Sequence, residues 1–195
     1  IVSSPFAYKK GALGKLLVKN EAIIIDPDTN EEIKTPDTVG ELCVAGYGVT
    51  KGYAGNSKEE TEKVFVKHPD GKTYVHMGDL VSVDEDGFFY YHGRIKNIIK
   101  RKSFAFSPQE IVDAIMKHEK VKSCMVVPRY SKEEGETPSA HIVLNDYSDT
   151  DKTLDEIKAL VDENVQEFHR PTHYKIRKSI PLTKNNKNNI TALKI

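Results

Sequence analysis

Charge of one sign is what this 195-residue sequence most plainly lacks. Its 29 Lys and Arg balance 29 Asp and Glu, for a net charge of +0. No bulk field therefore draws the chain to nucleic acid or to an anionic membrane surface. No apolar run is long enough to span a bilayer and no signal peptide is evident, so the cytoplasm is the default location. Cysteine is scarce: Cys43 and Cys124 lie far apart, each inside an apolar, strand-like run. Buried free thiols are the plain reading. No Cys/His spacing supports a disulfide framework or a metal site, and no metal site is expected. Repeats are absent, and the only biased tract is the polar run Lys184–Asn189. With 38% hydrophobic and 30% charged residues, the chain is polar and long enough for one large or two small domains.

The stretch from Tyr74 to Ile111 carries the most information. It reads Y-V-H-M-G-D-L, then V-S-V-D-E-D-G-F-F-Y-Y-H-G-R, then I-K-N-I-I-K-R-K-S-F-A-F-S-P-Q-E-I. Two strand-like runs, Leu80–Val83 and Phe88–Tyr91, flank the turn residues Asp84-Glu85-Asp86-Gly87. Gly78-Asp79 precedes this hairpin and Gly93-Arg94 follows it. A basic segment with Lys96, Lys100, Arg101 and Lys102 comes next. Ser107-Pro108-Gln109-Glu110 then reads as a helix start, with Ser as cap, Pro first and Glu third.

In order and spacing these residues resemble the AMP-forming adenylating superfamily of acyl-CoA synthetases, peptide-synthetase adenylation domains and luciferases. That pattern runs Thr/Ser-Gly-Asp-Leu, an Asp-Gly hairpin, Gly-Arg, an Asp or Lys two residues on, Ile-Lys, a Gly loop and Pro-x-Glu-Ile. Elsewhere Gly11-Ala12-Leu13-Gly14-Lys15, Gly40-Glu41-Leu42, Lys51-Gly52-Tyr53 and the tail Pro181-Leu182-Thr183-Lys184-Asn185-Asn186-Lys187 fit the same pattern. Three positions depart from it. Met77 stands for Thr or Ser, Ser103 for a loop Gly, and Asn186 for Gly. Asn is the non-Gly residue that best tolerates left-handed backbone, so the turn at 186 is compatible with the substitution.

The resemblance implies a reaction in two halves. A carboxylate attacks the α-phosphate of ATP to give an acyl-adenylate and pyrophosphate. A thiol, of CoA or of a carrier's pantetheine arm, then takes the acyl group and releases AMP. Asp79 would accept the ribose hydroxyls, since a carboxylate offers two oxygens to a vicinal diol; its plain alternative is a turn cap. Arg94 would reach the ribose or phosphate with its rigid, always-charged fork, or else form a surface ion pair. Tyr91 would pack on the ribose or in the core. Lys96 would be the hinge between the two domains, or an ordinary linker lysine. Lys100, Lys102 and Ser103 would line the loop used in thioester formation. Lys187 would approach the α-phosphate and the substrate carboxylate, offsetting transition-state charge, or lie solvated in a polar tail. His76 neighbours the Asp79 motif and reads as structural.

The implied fold class is α+β: a small β-rich subdomain, then a mobile α+β domain with a small sheet flanked by helices. The boundaries read as 1–95 and 96–195. Strands are expected at Ala22–Ile25, Gly40–Gly46, Val121–Val127, Ala140–Leu144 and Tyr174–Ile176. Residues 130–138 read as a charged loop. Capping boxes at Ser57-Lys58-Glu59-Glu60 and Thr153-Leu154-Asp155-Glu156 announce helices, the first carrying Thr61, Val64 and Phe65 on one face. Tyr53 and Phe65 read as core aromatics. The superfamily's Gly/Ser/Thr-rich phosphate loop and its Tyr-Gly-x-Thr-Glu motif are absent from the sequence, and there is no starting Met. The expectation is the C-terminal part of a ligase whose partners are its own N-terminal part, a small carboxylic acid, and CoA or a carrier thiol. ATP, Mg2+ and CoA would serve that whole enzyme, and this chain alone would be inactive. A fatty or other aliphatic acid is the first expectation. A carrier-loading adenylation domain and a non-catalytic binding member are the alternatives.

Overall fold

The computed structural model describes residue 1, residues 8–55 and residues 58–193. It divides into two compact units, Ile1–Lys96 and Asn97–Ile195.

The first unit is an antiparallel sheet of β1 (Asn20–Ile25), β2 (Gly40–Gly46), β3 (Phe65–Lys67), β4 (Thr73–Val83) and β5 (Phe89–Arg94), with one short helix, α1 (Lys58–Val64). β4 is the organiser. One of its edges pairs with β2; the other is shared, first by β3 and then by β5. Strand alternation sends Ile24, Leu42, Val81 and Phe89 to one face, and Ile25, Cys43, Ala45 and Tyr74 to the other. The expected hairpin turn forms, with the Asp84 carboxylate accepting from the amides of Asp86 and Phe88. Lys9 at 2.6 Å, ahead of the Phe88 amide and the Tyr90 hydroxyl, holds the Asp84 carboxyl down at about 2.

Two details of this unit differ from the sequence reading. Phe65 begins β3 rather than continuing α1, because pairing with Val75 outweighs one more helical residue. Tyr53 is half exposed and meets Phe65 edge to face at 5.4 Å, so it lines a surface cavity rather than the core. The cap position Ser57 lies outside the described residues.

The second unit begins in a 3-10 turn, Ile95–Asn97, that straddles the division. It contains β6 (Ile99–Arg101), β7 (Phe104–Phe106), α2 (Gln109–Met116), β8 (Val121–Ser131), β9 (Gly135–Leu144), α3 (Thr150–Asn164) and β10 (His173–Arg177). β9 is central. β8 pairs antiparallel along one edge, while β10 and β6 divide the other. β10 runs parallel to β9, which requires the α3 crossover between them. Both helices press apolar stripes into one core: Ile111, Ala114 and Ile115 from α2, and Ile157 and Val161 from α3, against Val126, Ala140, Ile142 and Leu144. Each such Ile or Val contributes about 1.5–3 kcal/mol by leaving water.

Residues 130–138 are not a loop. The β8–β9 ladder continues to Ser131↔Gly135, leaving only 132–134 as a turn. Gly135, Pro138 and four charges suggested a break. Pro138 instead lies opposite Pro128 at a non-hydrogen-bonded position: its carbonyl turns away from β8 to accept from the Thr172 amide at 3.0 Å, so the missing N–H removes no bond from the β8–β9 ladder. Likewise Thr153 is not a helix cap. α3 starts at Thr150, and Thr153 is buried one turn inside, its amide donating to the Asp149 carbonyl.

Candidate functional site

The Met77-Gly78-Asp79 segment sits on a bulge. Glu41 pairs with Leu80 and Cys43 with His76, so three residues of β4 stand opposite Leu42 alone. Gly78 takes φ +66 at this point, a conformation that costs a side-chain-bearing residue about 1–2 kcal/mol. Bulges re-aim side chains, and the Glu41 carboxylate holds this one by accepting the Gly78 amide at 3.0 Å. The sequence shows Glu41 only as a motif letter. Its partners emerge only from the cross-strand register.

The same register brings Asp79 opposite Arg94. The two dipeptides flank the turn in sequence; in the structure they lie within paired strands. Arg94 Nε meets Asp79 Oδ1 at 2.7 Å, and Arg94 Nη1 donates to the Met77 carbonyl at 2.9 Å. The guanidinium thus reaches the part of the β4 edge that neither β3 nor β5 covers. Burial pushes the Asp79 carboxyl above the ordinary carboxylate range. Arg94 and Lys96 pull it down, and Glu41 adds to the rise. Tyr91, two residues before Gly93 on β5, is partly exposed. Burial and then the Asp79 charge push its hydroxyl up. Asp79, Arg94 and Tyr91 therefore form one electrostatic group, with Lys96 near enough to act on it. Met77, the departure from Thr or Ser, turns its side chain to an apolar cavity of about 530 Å³ that Leu42, Val44, Phe65 and Val75 also line.

In the second unit, Lys100, Lys102 and Ser103 lie on the β6–β7 hairpin, all exposed. The left-handed residue is Lys102 (φ +50) rather than Ser103, so Ser103 meets no glycine-only demand. The Lys102 amide donates to the Glu134 carbonyl at 2.7 Å, and the Lys100 amide to the Glu136 carboxylate at 2.9 Å. Between them Arg101, unassigned in the sequence, points inward. It grips both Glu134 oxygens at 2.9–3.2 Å, stacks its guanidinium over Phe168 and donates to the Phe168 carbonyl.

Lys187 stands exposed on a tight turn. The Thr183 amide donates to the Lys187 carbonyl at 2.7 Å, and the Lys187 amide to the Thr183 hydroxyl at 3.2 Å. Asn186 occupies the left-handed region at φ +55, the conformation its neighbours require. Cys43 and Cys124 are free thiols, pushed by burial to about 12. No helix among the described residues is long and apolar enough to cross a membrane.

Comparison with known proteins gives these arrangements a context. Residues 110–187 match the AMP-binding enzyme C-terminal domain family. The chain is 35% identical over 167 residues to 4-coumarate–CoA ligase 1 of Glycine max, covering 85% of this chain and 54% of that protein. It is 36% identical over 173 residues to 4-coumarate–CoA ligase-like 1 of Arabidopsis thaliana, covering 89% of this chain and 30% of that one. Among solved structures it superposes on ATP-bound MatB from Rhodopseudomonas palustris with a TM-score of 0.83 at 25% identity, over 98% of this chain and 37% of that one. The chain thus spans about half or less of the length of these relatives.

Proposed function

The chain belongs to the AMP-forming adenylating superfamily, and on that premise we propose that it serves as the C-terminal part of an acid–thiol ligase. The observation that carries the reading is the Asp79–Arg94 pair, built by strand register onto a glycine-bearing bulge. Asp79 Oδ2, with Oδ1 shared with Arg94, suits a ribose diol. Arg94, beside it, would follow charge on the adjoining phosphate. In the adenylating half, the acid's oxygen bonds to the α-phosphorus as the bond to pyrophosphate breaks, and Lys187 balances the charge that develops there. In the second half a thiol sulfur displaces AMP from the acyl carbon, with Lys100, Lys102 and Ser103 lining its approach. Lys96 absorbs the backbone rotation between halves, as hinge residues at element ends do. The divalent cation that accompanies ATP is assigned to no residue of this chain.

The relatives are named as CoA ligases, which favours CoA over a carrier protein as acceptor. Their names also make 4-coumarate the first acid to try, ahead of an aliphatic one. The non-catalytic alternative rested on Met77, Ser103 and Asn186. The left-handed Asn186 and the unstrained Ser103 leave the backbone intact at two of these, which supports the catalytic reading.

The test uses a ligase carrying this chain as its C-terminal part. Lys187→Ala should lower acid-dependent pyrophosphate exchange by about 10²-fold or more, while thioester formation from supplied acyl-adenylate falls much less. Equal losses in both half-reactions would remove the assignment of Lys187, and wild-type exchange in Asp79→Ala would remove that of the nucleotide pair.

A further inference from the structure

On the face of the first sheet that carries Cys43 and Tyr74, two histidines meet. His68 follows β3 and His76 lies on β4, and their Nε2 atoms are 3.1 Å apart. The opposite nitrogen of His76, Nδ1, lies 3.1 Å from Glu41 Oε2. A carboxylate accepts, so His76 carries its proton on Nδ1 and turns an Nε2 lone pair toward His68. Tyr74 fixes the His68 ring edge to face at 4.9 Å. Both histidines line a cavity of about 500 Å³, with Asn30, Pro69, Lys63 and Lys67 around it.

We propose that His68 Nε2 and His76 Nε2 together bind one divalent ion of the zinc, nickel or copper class, its remaining coordination positions open to water or a small anion in the cavity. Two imidazole nitrogens on one tetrahedral zinc, each about 2.0–2.1 Å from it, stand about 3.3–3.4 Å apart. The observed separation is within a few tenths of an ångström of that value. A carboxylate on the far nitrogen is how protein sites orient a ligating histidine, and Glu41 is already anchored by the Gly78 amide. Without an ion, His68 donates an Nε2 proton to His76. Binding requires only that this proton move to His68 Nδ1, so no net charge is lost from the ring. Lys63 is paired with Glu59 at 2.8 Å, and Lys67 is exposed. Their positive charge favours an anionic ligand in the open coordination positions.

Glu41, Cys43 and His76 offer a rival cluster, with one ligand atom of each within 4.8 Å of the others. Cys43 is fully buried there and its thiol is pushed to about 12, so its thiolate is costly to form. Spacing in the sequence could not reveal the proposed pair, because a hairpin brings residues 68 and 76 together.

The experiment is calorimetric titration of the tag-free, chelator-stripped 195-residue chain with Zn2+, and with Co2+ read by its visible absorption. One ion per chain should bind in the micromolar range. His68→Ala, which keeps the His76–Glu41 contact, should weaken binding at least tenfold. Glu41→Gln should weaken it by about 10- to 100-fold, and Cys43→Ala should leave it unchanged. Circular dichroism of each variant confirms that the fold persists. Absence of binding, binding unaffected by His68→Ala, or binding abolished by Cys43→Ala would each overturn the proposal.

Discussion

At the scale of single residues, two left-handed positions make forecasts of unequal size. Lys102 sits at φ +50 with a long side chain, while Asn186 sits at φ +55 with the side chain best suited to it. Lys102→Gly should therefore stabilise the second unit by about 1 kcal/mol, and Asn186→Gly by only a few tenths. Urea denaturation of both variants measures the contrast; a loss of stability in Lys102→Gly would show that its side chain outweighs the backbone strain. His141 makes a pH forecast. It is buried, its Nδ1 accepts from Arg177 Nε at 2.8 Å, and Ser139 Oγ lies 3.3 Å from its Nε2. Burial first, then Arg177 and the nearby Lys175 and His173, lower its pKa to about 4. Between pH 6.5 and 4 the unfolded chain thus binds a proton that the folded chain refuses. The contribution is complete above pH 6.5 and is lost as pH falls toward 4, by roughly 3 kcal/mol. Thermal unfolding of the parent chain and of His141→Gln across that window should diverge. Parallel curves would show that His141 protonates freely in the fold.

At the scale of elements, Arg101 clamps the β6–β7 hairpin to the turn after β8 and to the segment after α3. Arg101→Ala strands a half-buried Glu134 and the Phe168 carbonyl, and should cost the second unit about 2–3 kcal/mol. Arg101→Lys should recover less than half, because an ammonium cannot reproduce a two-pronged, stacked contact. Denaturation midpoints would check both, and an Arg101→Ala loss under about 0.5 kcal/mol would leave the clamp without energetic weight. The elements also show what the sequence made legible. The apolar stripes of α2 and α3 and the Asp84–Gly87 turn were readable because local chemistry alone produces them. The candidate site was half legible: Asp79 and Arg94 stood out as motif letters. Their contact depends on the register of the β4–β5 hairpin, and the roles of Glu41 and Arg101 on pairing between segments far apart in sequence. The β8–β9 ladder runs past the expected loop because pairing register overrides local residue preference there. Pro138 looks like a breaker until the register shows that it stands at a non-hydrogen-bonded position of the ladder.

At the scale of the whole molecule, both units follow one plan, a long central strand with one edge divided between two shorter partners. In the second unit this plan sets a timetable. β8 and β9 close over a three-residue turn at 132–134, a short search that hairpins complete in about 1–10 μs. β10 can join β9 only after the α3 crossover has been laid down, so its contacts close a far longer loop than the β8–β9 turn and are slower to reward. We expect the rate-limiting ensemble to hold the β8–β9 ladder with α2 docked on it, and β10 still loose. In rapid-mixing experiments Val126→Ala should then slow refolding, whereas Ile176→Ala should leave refolding nearly unchanged and hasten unfolding. Equal slowing of refolding by both would place β10 in the nucleus. If the forecast holds, the last strand to arrive is also the first to leave, and the lifetime of the folded unit is set at β10, the strand laid last along the hairpin that starts it.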